Sequence, residues 1–296
     1  MISTRDVKRK IRTVHNIEQI TRAMKTVASI KLRRAEVRVR AARPYADRLA
    51  GLLAALGAVE IEHPLLQARP VNTNGIIIIG ADRGLCGGYN ANLIRRAQQA
   101  AHAAPRAQLI TLGRKPSDFF RRAGYDLRQR LSPLGDEADF GPLAEVADLA
   151  AQLYADGEWD AVDVVYTRCV RGQQTPPVVE RLLPLAPAEG VGALRLVGAR
   201  DSRDVSEVAP AREFIYEPSP RRLLDELLPR YLGTRVWAAA LDAKASEHQA
   251  RVTAMTLATD NAQEMIDALT LQYNKARQAA ITGELLDIVG TAEALA

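Results

Sequence analysis

Apolar residues recur every three or four positions through two tracts, 1–43 and 234–282, that contain no glycine and no proline. In the C-terminal tract Met255, Ala258, Ala262, Met265, Leu269, Tyr273, Ala276 and Ala280 step by threes and fours, the mark of a coiled-coil seam. Val7, Ile11, Val14, Ile17, Ile20, Met24, Val27 and Ile30 give a looser stripe in the N-terminal tract. A globular helix averages about 11–12 residues, whereas these tracts would reach roughly 65 and 74 Å as α-helices. Neither holds a long uncharged run, so no helical membrane span is expected. Each seam needs cover, and each is the natural partner of the other. If both flank one middle domain, they pair side by side and antiparallel. Pro229 is expected to begin or kink the C-terminal helix.

The period changes between 74 and 200. Residues 75–79 form a short buried-strand run ahead of a glycine loop, 92–104 reads as a helix and 108–112 as a strand. A short helix over 117–123, an edge strand over 125–131, a helix over 142–154 and strands over 161–167 and 178–185 follow. Strands alternating with helices imply βαβ units and a mostly parallel sheet. Residues 186–213, rich in Pro, Gly, Ala and charge, read as a loop into the last helix. The fold class is α/β: a long antiparallel coiled coil plus a central Rossmann-like domain. The boundaries are 1–58 for the N-terminal shaft helix, 74–200 for the foot domain and 212–296 for the C-terminal shaft helix.

Charge is unevenly divided. Residues 1–50 hold 14 Lys or Arg against 4 Asp or Glu, a net of +10, while the chain of 296 residues totals only +5. That basic helix would suit nucleic acid, a membrane surface or an acidic protein. Only Tyr45 is aromatic within 1–50, which argues against stacking on single-stranded nucleic acid. The charge surrounds the stem, which suits a rod enclosed by an acidic protein surface. Cys86 and Cys169 are isolated and the four histidines are scattered, so neither a disulfide framework nor a metal or catalytic histidine site is expected. The charged first turns lack the apolar stretch of a signal peptide.

The loop after the first strand, DRGLCGGYN at 82–90, invites a nucleotide-binding reading. A P-loop needs Gly-Lys-Ser/Thr and a dinucleotide fingerprint needs GxGxxG; neither is present. The reading favoured is a tight turn where glycine supplies φ > 0 or close backbone packing.

Three stretches carry a more specific likeness. The opening RDVKRKIRTVHNIEQITRAMKTVASIKLRRAE, the loop DRGLCGGYN and the ending SEHQARVTAMTLATDNAQEMIDALTLQYNKARQAAITGELLDIVG resemble, in this order, the gamma subunit of F-type ATP synthase. The resemblance implies a central shaft inside a ring of alpha and beta subunits, with the globular domain as a foot beside epsilon on the c-subunit ring. It implies no catalytic residues, no cofactor and no metal of its own, no nucleic-acid partner, and membrane association through the c ring only. Its place would be peripheral, on the cytoplasmic side of a bacterial cell membrane; the driving ion is decided in other subunits, with protons the more frequent choice.

Residue by residue, the resemblance places Met24 and Lys25 opposite an acidic loop of beta. It places Glu247 and Arg251 at polar positions that contact beta or the partner helix. Arg277, Gln278 and Thr282 fall in the region that catches the catalytic subunits during rotation. Gly84, Cys86, Gly87, Gly88 and Asn90 form the foot loop near epsilon and the c ring. Gly283 departs from a stiff shaft, since glycine within a helix is less favourable than alanine by about 1 kcal/mol. The chloroplast-type regulatory insertion with its cysteine pair is absent from this sequence. The alternative is a nucleotide-dependent Rossmann-type enzyme with helical oligomerisation arms.

Overall fold

The computed structural model describes residues 4–57, 63–170, 173, 175–185, 217 and 219–294. The proposed loop at 186–213 lies outside them. The element order is α1 (Thr4–Gly57), a 3-10 turn (Pro64–Leu66), β1 (Thr73–Ile79), α2 (Tyr89–His102), β2 (Arg106–Leu112), α3 (Arg114–Arg122), β3 (Leu127–Leu131), α4 (Phe140–Ala155), β4 (Ala161–Thr167), β5 (Pro177–Leu183) and α5 (Pro220–Ala294). Two compact units divide it: Met1–Ala28 with Arg251–Ala296, and Ser29–Ala250.

In the first unit α1 and α5 supply the two halves of an antiparallel coiled coil. The residues α1 turns inward are Val7, Ile11, Val14, Glu18, Thr21, Lys25 and Ala28, alternating four and three apart. This corrects the apolar stripe. Ile17, Ile20 and Val27 are 48%, 58% and 52% exposed, while Glu18 and Thr21 are buried at 2% and 9%. Spacings of three from Val14 to Ile20 drift off a 3.5-residue seam, so the isoleucines turn outward. The polar seam has neighbours in place: Arg22 forms an ion pair with Glu18, His15 lies 3.6 Å from it, and the Thr21 and Thr259 hydroxyls meet at 2.9 Å, while the Glu18 Oε1 has no hydrogen-bond partner among the described residues. On α5 the inward positions are Met255, Thr259, Ala262, Ile266, Leu269, Tyr273 and Ala276. Met265, expected on the seam, is 54% exposed, and Ala280 is exposed as well.

In the second unit a five-stranded sheet has the order β3-β2-β1-β4-β5. The first four strands are parallel and β5 runs antiparallel to β4. β1 is buried from Asn74 onward and β4 along its whole length, as central strands covered on both faces must be. Leu93, Ala97 and Ala101 of α2 and Phe120 of α3 pack with Ile76, Ile78 and Leu109 on one face. α4, the α1 stretch through Ala35, Val39, Ala42, Leu49 and Leu53, and α5 from Leu224 onward cover the other. Alanines let α1 and α5 approach closely, with Ala46 packed on Ala238. α5 begins at Pro220 and runs through Pro229. The hydrogen bond Pro229 cannot donate is outweighed by its buried neighbours Leu224, Leu228, Tyr231 and Leu232.

Candidate functional site

The carboxyl ends of parallel strands are where open α/β sheets receive ligands. Here that edge is closed by the chain's own helix. Between β1 and α2 the Asp82 carboxylate accepts hydrogen bonds from the backbone N–H groups of Arg114 at 3.0 Å, Leu134 at 3.1 Å and Gly135 at 3.1 Å. One side chain thus ties together the loops that follow β1, β2 and β3. The Lys244 ammonium of α5 donates to the same carboxylate at 3.3 Å. The Tyr89 hydroxyl donates to the Ala243 carbonyl at 3.0 Å. Cys86, 2% exposed, packs with Ala81, Tyr89 and Ala250. Asn90 accepts from the Ala81 N–H at 3.4 Å and donates to the Cys86 sulfur at 3.3 Å. A cleft of about 260 Å³ remains, bordered by Asn92, Thr167, Ser246 and Gln249, with no Lys or Arg along it. A nucleotide phosphate would find no counter-charge there.

The glycines divide by role. Gly87 has φ +57 and needs the left-handed region. At Gly80 an added Cβ would lie 2.8 Å from Leu93 and 2.9 Å from Pro116, so close packing excludes a side chain. Gly84 has open space around its Cβ position and Gly88 only Asn92 nearby, so the tight-turn reading does not extend to these two.

Charges run through the interior of this unit. Lys244, 2% exposed, sits between Asp82 and Glu247, 3.3 Å from each. His248, equally buried, lies 3.6 Å from Asp136, which pairs with Lys31 of α1 at 2.6 Å. Burial works to raise the Asp136 carboxyl, but the hydrogen bond and charge of Lys31, with His248 and Lys244, hold it below its ordinary value. Asp242, 1% exposed, has the opposite fate: burial pushes its carboxyl up to about 8. Its Oδ1 has no hydrogen-bond partner among the described residues. Burial also pushes the Cys169 thiol up to about 12.

The residues singled out from sequence fall into two groups. Cys86 packs with Ala250 of α5 and Gly88 borders a cleft with Ser246 and Gln249, so this part of the loop and the α5 stretch that carries Glu247 share one neighbourhood, while Asn90 bonds within the loop. Glu247 is 4% exposed and bonded to Lys244. Met24 and Lys25 are half-buried on α1, as is Arg251 on α5. Arg277, Gln278 and Thr282 are exposed, and the Thr282 hydroxyl donates to the Gln278 carbonyl at 3.0 Å. The sequence reading passed over Asp82, Tyr89, Asp242 and Lys244. A lysine and an aspartate inside the alanine run WAAALDAKA were a visible signal, because such a run marks close helix packing.

Among the described residues no helix is long and apolar enough to cross a membrane. A family model described as ATP synthase matches residues 3–295. The ATP synthase gamma chains of Heliobacterium modesticaldum and Moorella thermoacetica are 44% and 45% identical to this chain, over 100% of it and of each relative. The fold is shared with a chain of the Euglena gracilis mitochondrial ATP synthase rotor, at TM-score 0.61 and 18% identity over 94% of this chain and 98% of that one. It is shared also with a chain in the Tetrahymena thermophila mitochondrial ATP synthase central stalk and c-ring structure, at TM-score 0.59 and 22% identity over 81% and 99%. The chain belongs to the ATP synthase gamma-chain family.

Proposed function

We propose that segments 1–58 and 212–296 are the shaft of the central rotor in this chain's ATP synthase, turning within a head of alpha and beta subunits. Residues 74–200 are then the foot, beside epsilon on the c-subunit ring, at the cytoplasmic face of a bacterial cell membrane. The chain is a non-catalytic subunit of that complex. The observation that carries the reading is the apolar set left outside the seam. Ile17, Ile20 and Val27 on α1 and Leu257, Met265, Leu271, Ile281, Leu285 and Leu286 on α5 are each about half or more exposed. Apolar surface of that extent beyond the helices' own contact fits burial by other chains. Such contacts are non-directional, so they permit turning. Co-purification from membranes tests the assignment: an alpha/beta hexamer is expected with the tagged chain, and its absence overturns the reading.

Directional contact falls to Arg277 and Gln278, whose side chains are exposed, while the Thr282 hydroxyl is already bonded to its own helix. In the same scheme Met24 and Lys25, half-buried and so not fully covered by their own chain, reach the acidic beta loop. The double variant Arg277→Ala/Gln278→Ala should assemble normally yet turn over several-fold more slowly in ATP hydrolysis. Wild-type turnover in the assembled variant removes the coupling role.

The nucleotide-enzyme alternative needs a phosphate cradle, and the cleft left beside α5 has no Lys or Arg along it. The isolated chain is therefore expected to show no ATP binding by calorimetric titration at physiological salt. Micromolar affinity would revive the enzyme reading.

A further inference from the structure

The strand order leaves one crevice at the carboxyl edge of the sheet. From β1 the chain moves outward through β2 to β3, then returns to lay β4 on the other side of β1. The connection after β1 leads to one side and that after β4 to the other, and doubly wound sheets receive ligands at such a reversal. The cleft of about 260 Å³ lies there. Gly88, Tyr89 and Asn92 border it from the start of α2, Thr167 from the last position of β4, and Ser246 and Gln249 from α5.

Thr167 is 5% exposed, and its hydroxyl, on the wall of the cleft, has no hydrogen-bond partner among the described residues. A buried hydroxyl is normally bonded, so an orphan facing a cavity points to a partner from outside the chain. Neighbouring hydroxyls are already engaged. That of Thr175 donates to the Arg168 carbonyl, and that of Ser246 is bonded to Cys169. No side chain caps the first turn of α2, and the start of a helix presents N–H groups to oxygen acceptors.

The class of ligand follows from the lining. No Lys, Arg, Asp or Glu among the described residues borders the cleft. An ion drawn out of water there would lose its hydration, and one helix terminus, equivalent to roughly half a charge, would not replace it. Uncharged hydroxyl groups lose far less, and they both donate to and accept from the Thr167 hydroxyl and the Asn92 and Gln249 amides. The volume falls just below the range of about 300–1,000 Å³ usual for small-molecule sites, which suits a single sugar ring and is too small for a nucleotide.

We propose that this crevice binds a small uncharged polyhydroxylated molecule, with Thr167 as its buried hydrogen-bonding partner. Such a molecule bridges α2, β4 and α5. The inference goes beyond the rotor assignment and does not depend on it.

The test titrates the full, isotope-labelled chain with D-glucose and with myo-inositol and follows the backbone amide signals. Binding has to be seen directly, because polyols stabilise folded proteins in general through exclusion from their surface. At millimolar concentration at least one probe is expected to shift the amides of Gly88, Asn92 and Thr167, while D-glucuronate, a sugar ring carrying a carboxylate, leaves them in place. Thr167→Val keeps the shape and removes the hydroxyl. It should weaken binding about tenfold, yet leave the denaturant midpoint of the ligand-free chain unchanged or higher, since no bond within the chain is lost. Asn92→Ala, at the exposed rim, should weaken binding severalfold. The proposal is overturned if neither probe moves these amides, if D-glucuronate binds as well as D-glucose, or if Thr167→Val binds like the wild type. A lowered midpoint for ligand-free Thr167→Val overturns it too, because the hydroxyl then has a partner within the chain. Loss of the alpha/beta hexamer would sink the rotor assignment alone, whatever the sugars do.

Discussion

Lys244→Ala should destabilise the chain by about 3–5 kcal/mol in denaturant unfolding, the range for removing one partner of a buried ionic group. The side chain is 3% exposed and serves two carboxylates at 3.3 Å, Asp82 and Glu247. Both carboxylates lose a bonded cation. Asp82 keeps three backbone N–H donors, from Arg114, Leu134 and Gly135. Glu247, side chain 5% exposed, loses its bonded cation in the interior. Lys244→Met, which keeps most of the volume, should therefore remain almost as damaging as Lys244→Ala. Glu247→Gln added to Lys244→Met should recover a good part of the loss, a coupling that a double-mutant cycle isolates. If Lys244→Met unfolds at the wild-type denaturant midpoint, the lysine contributes packing alone and the ionic account is wrong.

This triad also marks the limit of what sequence pattern conveys. The order of strands and helices was legible because the period switches from near 3.5 to 2 and back, and the central strands are unbroken apolar runs such as Ile76 to Ile79. The α1 seam was misread. Hydrophobicity says which side chains prefer to leave water, but it does not say which neighbour will cover them. Ile17 and Ile20 remain about half exposed, while Glu18 and Thr21 take the seam, where Arg22, His15 and Thr259 lie beside them. The absence of a nucleotide cradle could be read from the missing Gly-Lys-Ser/Thr. That α5 packs across the loop after β1 could not, because it depends on residues more than 150 positions apart in the chain, Tyr89 and Ala243. Asp82 looked like one residue of a glycine loop. Its role as a tie between three loops exists only once β1, β2 and β3 lie side by side.

Asp242→Asn should flatten the pH dependence of stability between about 4 and 8. The wild-type carboxyl is 1% exposed on α5, and burial raises it from 3.8 to about 8. Glu180 on β5 adds to the rise, while Arg168, just past β4, and Arg43 on α1 oppose it. A raised acid is neutral in the folded chain and charged in the unfolded one throughout that window, so the unfolded state binds fewer protons. Stability from this group is complete below about 4, falls as pH rises, and is lost by about 8. Each pKa unit corresponds to about 1.4 kcal/mol, so the span amounts to several kcal/mol. Asparagine keeps the shape and cannot ionise. The variant should hold a nearly constant denaturant midpoint over the window and exceed the wild type at pH 8. Arg168 pairs with Glu180, so it already serves another carboxylate. Parallel falls in wild type and variant from pH 5 to 8 would assign the dependence to another group, with Asp242 ionised in the folded chain.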